Sequence, residues 1–103
     1  MRKADIYNFG IIAGRLDELD QGKLYKFIYL NEYDGPPISL SMPVTEKEYT
    51  FDCFPPFFEG LLPEGIQLEG LVRKAKVDKN DFMGLLLAAG GDLVGSVTVK
   101  EGK

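Results

Sequence analysis

Residues 54–65 read FPPFFEGLLPEG, with three phenylalanines, three prolines and two glycines in twelve positions. The segment is too apolar for an ordinary surface loop and too rich in breakers for an ordinary helix. It also marks the point where the hydrophobic period of the chain changes. Pro55 and Pro56 are suited to opening a helix, because proline has the required φ and its missing amide would have had no partner there. Phe57 with Leu61, and Phe58 with Leu62, are four apart and share a helix side. Pro63 and Gly65 read as the end of that short helix. Neighbouring residues fan over roughly 100° of helix, so these four side chains cannot all point inward. One member of each adjacent pair is a candidate for exposure. The turn Pro63-Glu64-Gly65-Ile66 then projects an apolar residue from a polar bend.

Downstream, Leu68, Leu71, Val72 and Ala75 follow a helical stripe, weakened by Gly70 by roughly 1 kcal/mol relative to alanine. Asp78 with Asp81 resembles a capping arrangement. Phe82, Leu85, Leu86 and Ala89 repeat the stripe, and Gly90-Gly91 stop it. Residues 93–100, LVGSVTVK, read as a final strand. Upstream, residues 5–16 read as one strand, or a strand bent at Gly10, and LDELDQGK (16–23) carries turn chemistry. In LYKFIYLN (24–31), Tyr25, Phe27 and Tyr29 lie on one face and Leu24, Lys26, Ile28 and Leu30 on the other. Apolar residues on both faces predict an internal strand. DGPP (34–37) is a breaker, and ISLSM (38–42) reads as a half-buried strand closed by Pro43. The order is strands, two or three short helices, then a strand. It predicts an α+β fold: a small curved or partly barrel-like antiparallel or mixed sheet of about five strands, with helices on one face. The whole chain, residues 1–103, reads as one domain.

Composition narrows the function. Hydrophobic residues make up 45% and charged residues 27%, near the average of a globular domain. No run approaches the roughly 20 apolar residues of a membrane span, and MRKADIYNFG is no secretory signal, so a cytoplasmic setting without membrane is expected. The net charge of −4 repels free nucleic acid on average. Arg73, Lys74, Lys76 and Lys79 read as a solvated helix face. The chain has no histidine and one cysteine, which removes imidazole bases, imidazole metal sites and Ser-His or Cys-His nucleophile pairs. Cys53, beside aromatics, reads as a buried apolar filler. Asp17, Glu18 and Asp20, and likewise Glu46 and Glu48, sit in polar segments where solvation accounts for them. GGDLVGS (90–96) has no lysine after its last glycine and leads into a strand, so it is no phosphate loop. No catalytic residue, no metal site and no cofactor is predicted. An exposed apolar patch at residues 58–66, rimmed by Glu59 and Glu64, suits protein interaction.

Taken in order, GRLDEL, YKFIYLNEY, PISLSMP, FPPFFEGLLPEG and DFMGLLLAAGGDLVGSVTV resemble the N-terminal subdomain of HipA-type serine/threonine kinase toxins, over about residues 5–100. PISLSMP and PFFEGLLPEG at this spacing are the specific pair. The resemblance implies a small curved sheet with helices that packs on a kinase core, the ATP-binding and catalytic motifs lying in a part this chain does not have. A free-standing copy resembles the small subunit of split HipA systems, the HipS type. It implies a regulatory protein that docks on a HipA-like kinase lacking its own N-terminal subdomain and restrains it as an antitoxin. A HipB-like DNA-binding protein is the further partner implied. The alternatives are a structural subunit that the kinase needs for folding or activity, and a domain cut from a longer toxin. Some relatives carry an aromatic residue just after PEG, where this chain has Ile66. The expected seam residues are Phe58, Glu59, Leu62, Pro63, Glu64, Gly65 and Ile66.

Overall fold

The computed structural model describes residues 1–93 and 95–102. Five strands and three helices follow in the order β1 (Lys3–Asn8), β2 (Ile11–Asp20), β3 (Leu24–Tyr29), β4 (Glu48–Phe51), α1 (Pro56–Glu59), α2 (Gly65–Ala75), α3 (Phe82–Ala89) and β5 (Val97–Glu101). The sheet order is β4-β3-β2-β1-β5, every pairing is antiparallel, and the sheet stays open. The α+β expectation holds, with three helices between the fourth and last strands.

The segment 5–16 is a hairpin rather than one strand. Phe9 and Gly10 both take positive φ, 52° and 79°, the turn geometry whose twist matches that of paired strands. Gly10 adopts it freely, whereas Phe9 is strained there. Its amide donates to the Ser96 carbonyl at 3.0 Å. The LDELDQGK segment is not a turn throughout: β2 runs to Asp20, with a bulge between Glu18 and Asp20. β3 is internal, as its composition suggests, bonded to β2 on one side and β4 on the other.

ISLSM is not a strand. Met42 N–H donates to the Ser39 carbonyl at 3.0 Å, closing a tight turn whose one bridge is Ser39 to Met42. Ile38 and Met42 drop into the core, while Leu40 stands 95% exposed. The Tyr29 hydroxyl fixes this loop, accepting from Ile38 N–H at 3.0 Å and donating to the Met42 carbonyl at 2.6 Å. The fourth strand is EYTF at 48–51 instead. Gly65 opens α2 rather than only closing α1. The last strand is shorter than residues 93–100: β5 begins at Val97, and Val94 of that segment lies outside the described residues.

The pleat places Ala4, Ile6, Leu16, Tyr25, Phe27, Tyr29, Val97 and Val99 on one buried face. Phe54, Phe58, Leu62, Met83, Leu85 and Leu86 pack onto it from the helical half. Gly14 of β2 is required there: a β-carbon would fall on the Ile28 carbonyl of the neighbouring strand, 2.9 Å from the Phe27 ring. The chain's most apolar helix, α3, buries Met83, Leu85, Leu86 and Ala89. Its N-cap Asp81 accepts from Gly84 N–H at 3.1 Å, so the capping residue is Asp81, while Asp78 accepts from Asn80 N–H in the preceding turn.

Candidate functional site

The awkward segment resolves into an inward ladder and an outward turn. Helix α1 starts on two prolines as expected and makes one turn; Leu61 and Leu62 continue it by donating to the carbonyls of Phe58 and Glu59, each at 3.1 Å. Phe54, Phe58 and Leu62 are therefore four apart on one side, and all three are buried. Phe58 packs on Phe27 with ring centroids 5.9 Å apart and on Phe57 at 5.1 Å. Phe54 meets Tyr25 edge-on at 5.4 Å. The half-exposed member of each adjacent pair is Phe57 and Leu61, not Phe58 and Leu62. Cys53 is exposed rather than buried, because Phe54 takes the inward position beside it.

After Pro63 the chain turns at Gly65 (φ 60°), a conformation that suits glycine. The result is Ile66, 86% exposed, at the first turn of α2 beside exposed Glu64. A cleft of about 150 Å³ runs between α1, α2 and α3, and Glu59, Leu62, Pro63 and Glu64 line it together with Lys79. Of the seven expected seam residues, four share this cleft. Gly65 and Ile66 lie beside it, and Phe58 is enclosed in the domain's own core. Of the expected seam residues, Glu59, Glu64, Gly65 and Ile66 are exposed and Pro63 is half-buried, with Leu62 buried beneath them.

A second apolar surface was not legible in the sequence. At the β1–β2 turn Phe9 is 71% and Ile11 62% exposed. The tip is propped from below, where Asn8 donates to the Tyr33 hydroxyl at 3.1 Å and accepts from Ser96 at 2.7 Å. The signal is the triplet Asn8-Phe9-Gly10, a turn sequence within the segment that reads as one strand or a strand bent at Gly10.

Asp17 and Glu18 are not solvated: both are buried. Arg2 forks onto Glu18 at 2.7 and 3.0 Å and onto Asp81 at 2.9 and 2.7 Å. Tyr25 adds a hydroxyl to Glu18 at 3.0 Å. Asp17 faces Arg15 at 2.8 Å on the other side of the sheet. The hydrogen bonds from Arg2 hold the Asp81 carboxyl below its usual range and push the guanidinium further up. Burial raises Tyr25. The network ties the N-terminus to the cap of α3, and its members Tyr25 and Asp81 line a cavity of about 240 Å³ together with Cys53 and Glu59. Among the described residues no group of three His, Cys, Asp or Glu could hold a metal ion.

A family model described as "HipA N-terminal domain" matches residues 4–100. This chain belongs to the HipA N-terminal domain family. The match is to that domain alone, which is not the catalytic domain of the kinase. An uncharacterized protein of Haemophilus influenzae is 30% identical over 103 residues, covering 100% of this chain and 95% of that protein. A solved structure titled "N-terminal domain of HipA toxin" superposes with a TM-score of 0.77 at 26% identity, covering 100% of this chain and 94% of the other. This HipA N-terminal domain thus shares both the family's sequence pattern and its fold, and a relation to HipA toxin systems follows.

Proposed function

We propose that this chain is a non-catalytic binding protein that docks on a HipA-like serine/threonine kinase lacking its own N-terminal subdomain, and restrains it. The observation that carries the reading is the Haemophilus influenzae relative, 95% of whose length is taken up by the match. That relative, made almost wholly of this domain, has no room for a kinase of its own, which favours a reading in which a partner supplies one. A further feature supports the reading: the aliphatic side chain of Ile66 stands exposed on a glycine-set turn. The complex is proposed to form in the cytoplasm and to include a HipB-like DNA-binding protein, through which the chain would meet DNA only indirectly.

The docking surface is proposed to centre on Ile66, with Pro63, Glu64 and Gly65 around it and Glu59 at the rim. Titration calorimetry of the purified chain against the purified HipA-like kinase of the same genome tests it. Ile66→Asp should weaken binding by about 2 kcal/mol or more, the loss expected at an anchoring side chain. Unchanged affinity would remove Ile66 and its turn from the interface.

A further inference from the structure

Helices α1 and α3 each bury side chains, whereas α2 buries none. Its apolar stripe of Leu68, Leu71 and Val72 stays half-buried, although burial of such a stripe is what ordinarily stabilises a helix of this length. One flank of the stripe is a groove of about 410 Å³ lined by Leu68, Glu69, Val72, Arg73 and Lys79. Arg73, Lys74, Lys76 and Lys79 are all exposed. Among the described residues the ion pairs belong to Arg2, Arg15 and Lys26, so these four cations have no carboxylate within salt-bridge reach. Asp78, the acid among them, accepts from the Asn80 backbone at 2.8 Å. A chain of net charge −4 therefore places two unpaired cations, Arg73 and Lys79, against one carboxylate, Glu69, around an apolar groove.

We infer that this groove is a second contact of the kinase-docking surface, running on from Ile66 along α2, and that it receives an acidic amphipathic segment of the kinase. The inference rests on the kinase-binding reading above. Aliphatic side chains of the segment would cover Leu68 and Val72, completing the burial of the stripe, while its carboxylates meet Arg73 and Lys79. Such charges at the edge of an interface act on encounter and register more than on the contact energy itself. A nucleic acid fits less well, since an aliphatic floor offers its phosphates nothing and Glu69 stands on the rim.

The double substitution Arg73→Glu with Lys79→Glu reverses the rim at two exposed positions and leaves the apolar floor intact. Affinity for the purified HipA-like kinase is measured at low and at high salt, with the thermal midpoint as a control of folding. The wild-type chain should bind more weakly as salt rises. The double variant should bind at least about 10-fold more weakly at low salt, lose most of the salt dependence and melt at the same temperature. Equal affinity and equal salt dependence would overturn the groove assignment and leave the kinase reading standing. No binding by the wild-type chain would overturn both. If the double variant keeps the kinase but loses a duplex DNA probe, or loses self-association, the groove belongs to another occupant and the inference fails.

Discussion

Phe58→Ala is expected to lower the unfolding free energy by about 3–5 kcal/mol, the cost of deleting a fully buried aromatic ring. Phe58 has no exposed surface and stands between Phe27 of the sheet and Phe57 of its own helix. Backbone bonds to the Pro55 carbonyl hold the turn that carries it, so the surroundings have little freedom to close the cavity. Ile66→Asp, eight residues along the same segment, should change stability by no more than about 0.5 kcal/mol, since the side chain it replaces is already in water. Urea unfolding of the two variants separates the roles. A small loss for Phe58→Ala would show that the ring is not the keystone between α1 and the sheet. A large loss for Ile66→Asp would show that Ile66 packs within the domain instead of presenting itself to a partner.

Arg2→Ala should cost about 2–3 kcal/mol, less than the roughly 3–5 kcal/mol of removing one partner of a fully buried ion pair, because Arg2 itself is one-third exposed. The loss arises at the carboxylate left behind: Glu18 is buried and would keep only the Tyr25 hydroxyl. Glu18→Gln in the Arg2→Ala background removes that stranded charge and should restore part of the stability; no recovery would mean that the cost lies elsewhere. The same network sets an acid response. The folded-state pKa of Asp81 is depressed, chiefly by Arg2, so its contribution is fully present above its unfolded value of about 3.9. It is lost as pH falls through the lower folded value, where the unfolded chain binds the extra proton. In Arg2→Ala this part of the acid-induced loss should be reduced. Acid unfolding curves of equal steepness for the two proteins would contradict the assignment.

The α+β class was legible because the hydrophobic period changes at Phe54 and returns to alternation at Val97, and period is a direct consequence of which face is buried. Three features were hidden for definite reasons. The first hairpin was masked by a phenylalanine in a left-handed turn position that glycine or asparagine usually fills. ISLSM alternates like a strand, but what holds Ile38 and Met42 inward is the Tyr29 hydroxyl, a contact across nine and thirteen residues that no local pattern encodes. Glu18 looks solvated because its neighbours are polar; its partner Arg2 is 16 positions away, and the same guanidinium also forks onto Asp81, 79 positions from Arg2. At the candidate surface, helical spacing paired Phe58 with Leu62 and placed Ile66 on a bend. It did not decide which pair faced inward, and the ladder Phe54, Phe58 and Leu62 against the sheet does.

The most direct test of the central claim is growth of cells that express the HipA-like kinase of the same genome, with and without this chain. The kinase alone should arrest growth, co-expression of the chain should restore it, and the Ile66→Asp variant should restore it less. A kinase that is harmless alone and arrests growth only when this chain is present would contradict the account, making the domain a required part of an active kinase and not its restraint.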